Sequence, residues 1–209
     1  MTPDQLAAAG LRYDVDGAVA TITLDRPASR NSQTPTMWRT LAAIGEQVPD
    51  DVRVVVLQGE GTTFSAGLDR TLLAPGGGDG QESVADLLTQ PDEEISATIR
   101  SYQDGFTWLQ DPRFVSIAKV RGYAIGAGFQ LALACDLRVL SDDAQLCMKE
   151  SALGLVPDLA GTKPLVEAVG YARALEICAT ARMVGAGEAV TIGLALTAVP
   201  EAELDGVVD

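Results

Sequence analysis

The chain has 209 residues, 47% of them apolar and 21% charged, a composition that fits one globular domain with a buried core and excludes a chain disordered throughout. Twenty-nine acidic against fifteen basic residues leave a net charge of −14, which argues against nucleic acid as a partner, although locally placed Arg or Lys can still hold an anionic cofactor. The sequence contains no histidine, so Ser-His-Asp and Cys-His catalysis and the commonest transition-metal ligand are all removed, and any chemistry must run on carboxylates and backbone dipoles.

Residues 18–24 alternate apolar side chains and stop at Asp25-Arg26-Pro27, which predicts a strand. Thr34-Pro35 resembles a helix start, with Thr as cap and Pro in the first turn. Met37, Leu41, Ile44 and Val48 then predict an amphipathic helix ended by Pro49. The apolar run 52–57 predicts a strand buried on both faces. Residues 74–90 begin glycine-rich and predict a mobile excursion. Ile95, Ile99, Tyr102, Phe106 and Leu109 predict a second helix, closed by Asp111-Pro112. A strand over 115–120, a glycine turn over 122–128, an apolar helix around 131–134 and a strand over 137–140 follow. Alternating strands and helices make this an α/β protein.

No apolar run reaches the roughly 18 residues of a membrane span, and the start Met-Thr-Pro-Asp-Gln lacks the basic and apolar regions of a secretory signal. A cytoplasmic protein without a membrane partner is expected. Cys135, Cys147 and Cys178 are odd in number and far apart, which suits reduced, buried thiols.

Two strand-to-loop junctions place small residues directly after a buried strand: residues 57–69, ending Phe64-Ser-Ala-Gly-Leu-Asp69, and residues 121–128, Arg-Gly-Tyr-Ala-Ile-Gly-Ala-Gly. Small side chains let a ligand approach main-chain amides, and amides at a helix N-terminus carry partial positive charge, so two of them can grip one oxygen. The alternative is that the glycines serve only turns and helix–sheet packing. A dinucleotide fingerprint is rejected, because Leu131 follows Gly126-Ala-Gly128 where a third small residue should stand.

These two segments, the second extended through Phe129-Gln-Leu-Ala-Leu-Ala-Cys-Asp136, resemble the signatures of the enoyl-CoA hydratase/isomerase (crotonase) family. Leu24-Asp-Arg-Pro27 with Asn31, residues 154–162 and residues 181–200 extend the resemblance over about 13–205. It implies a ClpP/crotonase-like spiral of ββα repeats, a single domain over 1–209 with its core at about 10–200. The sequence stops at Asp209, so the family's C-terminal helical part is expected to be truncated or missing. The resemblance further implies a homotrimer or hexamer, with no tightly bound cofactor and no metal, coenzyme A entering as part of the thioester substrate.

Carried over by position, the resemblance puts an oxyanion hole on the N–H groups of Leu68 and Ala127. Ala28, Arg30, Ala66, Leu68 and Asp69 match positions that line the coenzyme-A channel, and Arg26 and Arg30 are candidate phosphate partners, with solvated surface arginines as the alternative. Hydratases of the family use two glutamates; here Gln130 replaces the first, and an amide can position a water but cannot serve as its base. Glu150 keeps the second. Asp158 stands where the family's dienoyl-CoA isomerases and dehalogenases carry a functional aspartate. Double-bond isomerisation by a carboxylate proton shuttle is therefore the expected reaction, with 2-enoyl-CoA hydration and a catalytically weak acyl-CoA-binding protein as alternatives. Taken alone, Glu150 beside Lys149 reads as a surface pair and Asp158 as a turn residue.

Overall fold

A six-stranded sheet carries the molecule in a computed structural model that describes residues 1–77 and 82–208. In chain order the elements are α1 (Pro3–Ala8), β1 (Leu11–Asp16), β2 (Val19–Leu24), α2 (Pro35–Gly45), β3 (Val54–Gly59), α3 (Val84–Leu87), α4 (Asp92–Thr107), β4 (Val115–Val120), β5 (Tyr123–Ile125), α5 (Ala127–Ala134), β6 (Leu137–Ser141), β7 (Gln145–Cys147), α6 (Thr162–Val169), α7 (Tyr171–Thr180), β8 (Val184–Gly185), α8 (Ala186–Thr191), β9 (Thr197–Val199) and α9 (Leu204–Val208). The larger sheet runs β1-β2-β3-β4-β6-β9 and is parallel except at its β1 edge. A smaller sheet runs β5-β7-β8, and Ser65 joins it through a bridge to Ala124.

Each turn of the chain lays one strand in the large sheet and then a short extended piece in the small one: β3 then Ser65, β4 then β5, β6 then β7. This is the α/β spiral of strand-strand-helix units that the resemblance implies. Its register aligns Ile22, Leu57 and Ala118 across three neighbouring strands, all with no solvent exposure. The branched and apolar sequence of β3 suits a strand covered on both faces.

The Thr34 side chain accepts from the Met37 N–H at the start of α2, as expected, but the helix stops at Gly45, before Pro49. A Cβ at Gly45 would lie 2.6 Å from the Trp108 ring, so the chain passes close to that ring there. Along α4, Tyr102 and Phe106 pack on Trp38 of α2 at ring distances of 4.9 and 6.3 Å. The same apolar stripe continues through Ile95 and Ile99, which face a cavity and not the core.

The helix expected around 131–134 begins earlier, at Ala127, and all eight residues of α5 are buried. Arg138 caps its far end, donating from Nη1 to the Cys135 carbonyl at 2.7 Å and from Nε to the Leu194 carbonyl at 2.6 Å. Cys178 is half-buried, unlike Cys135 and Cys147. Part of the expected glycine-rich excursion, residues 78–81, lies outside the described residues. Its flanks are tied down, with Ser83 Oγ donating to the Ala74 carbonyl at 2.7 Å and the Gly76 N–H to Asp86 at 2.8 Å. Among the described residues, no helix is long and apolar enough to cross a membrane.

Candidate active site

The two glycine-bearing junctions are stitched side by side. The Phe64 and Ser65 N–H groups donate to the carbonyls of Arg121 and Tyr123, both at 2.9 Å, and the Ile125 N–H donates back to Ser65 at 3.0 Å. Ser65 Oγ is the hub beneath them: it donates to the Asn31 carbonyl at 2.7 Å and accepts from Gln33 Nε2 at 3.1 Å and the Gly67 N–H at 3.2 Å. Trp38 Nε1 in turn donates to Gln33 Oε1 at 2.8 Å.

This scaffold aims two amides. Gln33 donates to the Gly67 carbonyl at 2.8 Å and accepts from the Asp69 N–H at 2.9 Å, so the intervening Leu68 N–H points the other way. Ala127 is the first residue of α5, where an N–H has no partner within its own helix. Among the described residues, neither amide donates to a protein acceptor. The junctions come so close that a Cβ on Gly67, whose φ is +86°, would meet the Ile125 carbonyl oxygen at 2.3 Å and the Ala127 nitrogen at 3.4 Å.

Leu68 and Ala127 line a cavity of about 540 Å³, and so do Ala66, Gln130, Glu150 and Asp158. Its remaining wall is largely aliphatic, from Leu87 through Ile95 and Ile99 to Val156. Glu150 is 8% exposed; its Oε1 accepts from Gln130 Nε2 at 2.7 Å, and its buried Oε2 has no protein partner. Burial pushes the Glu150 carboxyl above the usual range, the Gln130 hydrogen bond opposes the shift and the Asp158 charge adds to it. Asp158 sits at the rim, open to solvent on one side, and crowding by protein atoms raises its carboxyl too. Two carboxyls that hold their protons more tightly than usual, beside two free amides, form a place where a proton can be moved while an oxygen becomes negative.

The remaining expected binding residues fall elsewhere. Arg26, Ala28, Arg30 and Asp69 are not among the cavity's lining. Arg26 donates to Asp69 at 3.0 Å and to the Ser32 carbonyl at 2.6 Å, while Ala28 and Arg30 are exposed. Burial would raise the Asp69 carboxyl, but hydrogen bonds from Thr71, Arg26 and Ser32 outweigh it and hold it low. The cavity is instead lined by two cations outside the expected binding set, Arg70 and Lys149, the latter expected only as a surface partner of Glu150; neither is in a salt bridge among the described residues. Arg70 directly follows the first signature segment, which was the available signal. A latch was also missed: Tyr102 donates to Glu82 at 2.5 Å, and Arg39 donates to the same carboxylate at 2.8 Å.

A family profile described as enoyl-CoA hydratase/isomerase matches residues 14–207. The solved structure of a candidate enoyl-CoA hydratase from Thermobifida fusca YX, in complex with acetoacetyl-CoA, is 56% identical and superposes with a TM-score of 0.95, covering 100% of this chain and 80% of that one. A candidate enoyl-CoA hydratase of Rhodobacter capsulatus is 32% identical over 93% of this chain and 70% of its own length. The peroxisomal Delta(3,5)-Delta(2,4)-dienoyl-CoA isomerase of Arabidopsis thaliana is 32% identical over 88% of this chain and 66% of its own length.

Proposed function

The chain belongs to the enoyl-CoA hydratase/isomerase family, and from that premise we propose that it moves a double bond along an unsaturated acyl-CoA. The observation that carries the reading is that Glu150 and Asp158 line one cavity with Leu68 and Ala127. The Leu68 and Ala127 N–H groups both donate to the thioester oxygen. Glu150 lies beside that pair, its Oε1 within 3.3 Å of where a Gly126 Cβ would stand. It is therefore the base that takes a proton from the carbon next to the thioester. The electron pair left behind delocalises onto the held oxygen and along the conjugated chain. Asp158, whose carboxyl is raised by the protein atoms around it, returns a proton from its acid form to a carbon further along. The substrate's bonds rearrange with no water added, and proton exchange with solvent returns Glu150 to carboxylate and Asp158 to acid.

Arg70 and Lys149 supply positive charge for the anionic part of the thioester, with Arg30 near the Ala66 loop, while the aliphatic wall takes the acyl chain. Incubation with 3-enoyl-CoA and 3,5-dienoyl-CoA panels in heavy water, read by ultraviolet absorbance and by deuterium at both carbons, tests this. No uptake and no spectral change with any thioester would overturn it. Simple hydration of a 2-enoyl-CoA is the second reading, favoured by the unpartnered Glu150 Oε2, which a water can occupy. Water addition to crotonyl-CoA that Glu150→Gln abolishes would place it first. The same proposal includes a homotrimer or hexamer in solution, which a monomer by light scattering would contradict.

A further inference from the structure

We infer that Gln130 is the positioning residue that holds both carboxyls of the relay in register, and that a neutral group able both to donate and to accept is required there. Gln130 is 1% exposed and spends both ends of its amide on protein. Nε2 donates to Glu150 Oε1 at 2.7 Å, while Oε1 accepts from the Leu159 N–H at 3.0 Å and the Gly161 N–H at 3.2 Å. Leu159 is bonded in sequence to Asp158, whose own carbonyl accepts from Gln103 Nε2 at 2.6 Å. One side chain thus grips Glu150 directly and Asp158 through its next peptide.

The polarity of the amide is fixed by this network. The two peptide N–H groups demand an acceptor and an ionised Glu150 demands a donor, so a flip of the amide would leave all three contacts wrong. Gly161 allows the grip: a Cβ there would lie 2.6 Å from Gln130 Cγ. The Gln130 bond also decides which Glu150 oxygen is left over, because Oε1 is occupied and Oε2 is the buried atom without a partner. Asp158, Lys149, Cys147 and Cys178 are the other ionisable groups around Glu150, and none of them replaces this hydrogen bond.

The inference rests on the double-bond reading for its kinetic arm alone. Gln130→Leu keeps the volume but neither donates nor accepts. Gln130→Glu offers a second case, because its neutral form can donate to Glu150 and still accept from Leu159 and Gly161, whereas its ionised form puts two like charges at hydrogen-bonding distance. In the apo protein, hydrogen exchange at the Leu159 and Gly161 amides is expected to quicken roughly tenfold or more in Gln130→Leu. Deuterium uptake into 3-enoyl-CoA in that variant should fall at every pH, with KM within about threefold of the parent.

In Gln130→Glu, uptake should approach the parent's at low pH and fall on a new descending limb as pH rises and the shared proton leaves. Unchanged protection of both amides in Gln130→Leu, or a Gln130→Glu profile that superimposes on the parent's, would overturn the inference. If the parent itself takes up no deuterium, the double-bond reading falls, and the amide-exchange arm alone still decides the role of Gln130.

Discussion

Gly67→Ala tests the geometry on which the proposed chemistry depends. At φ +86° alanine carries the left-handed penalty of about 1–2 kcal/mol. Its methyl would also sit 2.3 Å from the Ile125 carbonyl oxygen, about 1 Å inside an ordinary carbon–oxygen contact of about 3.3 Å. Both partners are backbone, so relief requires the two junctions to move apart by about that 1 Å. A hydrogen bond of about 2.9 Å lengthened by as much no longer counts as one. The next amide along is that of Leu68, so one of the two proposed donors to the thioester oxygen is lost. Losing one such donor costs about 2.7–4 kcal/mol, or about 10²–10³ in kcat. The strain alone lowers the melting temperature by only about 2–4 °C per kcal/mol in a domain of this size. The assay is kcat for deuterium uptake at 25 °C on protein shown to be folded by circular dichroism. A kcat within about threefold of the parent, or a loss that follows the unfolded fraction, would refute the reasoning.

Three further outcomes are expected. Glu150→Gln should lower uptake by about 10²–10⁴-fold. Because burial raises the folded Glu150 carboxyl, that group costs stability increasingly as pH rises from the ordinary glutamate value through the raised one. The variant should therefore gain on its parent in urea midpoint at pH 8 but not at pH 4, and a difference that does not grow with pH contradicts this. Asp158→Asn should retain exchange at the carbon beside the thioester while losing most deuterium at the remote carbon, read by mass spectrometry; equal loss at both would show that the two carboxyls do not divide the work. Glu82→Gln should weaken the latch to Tyr102 and Arg39 by about 1 kcal/mol or less, because the Arg39 pair is half-exposed. Its readout is a higher KM for longer acyl chains, carried by the wall residues Val84 and Leu87, with kcat nearly unchanged.

The inner strands β2, β3, β4 and β6 of the large sheet were legible because a two-sided strand such as β3 must be largely apolar, and α2 because Thr34-Pro35 is an unambiguous start; the edge strands β1 and β9 were not. The small sheet was not: β5, β7 and β8 have two or three residues each, too few for any period to show. The stripe on α4 was read correctly as helical, but spacing cannot say that Ile95 and Ile99 face a cavity while Phe106 faces the core. Leu68, Ala127, Glu150 and Asp158, which line one cavity, were singled out by motif position. The partners of Gln130 were invisible, since two of its three contacts are peptide N–H groups that carry no residue identity. Arg26 illustrates the opposite case, where a plausible charge is engaged by Asp69, 43 residues away in sequence.

A chain without histidine has to find a proton carrier that works near neutral pH among groups that ordinarily titrate near 4. Burial is the means available. The apolar wall that encloses Glu150 makes its charged form costly and its carboxylate more basic, and the same dry surroundings strengthen whatever the Leu68 and Ala127 amides hold. The opposing need is that the carboxylate must still form, and its own backbone N–H together with the Gln130 hydrogen bond at 2.7 Å favours it. A second carboxylate in place of Gln130 would push the other way. Gln130 therefore has a physical reason of its own: with Asp158 already adding negative charge, a neutral donor is the group that lets one base remain ionised inside a wall built to exclude water.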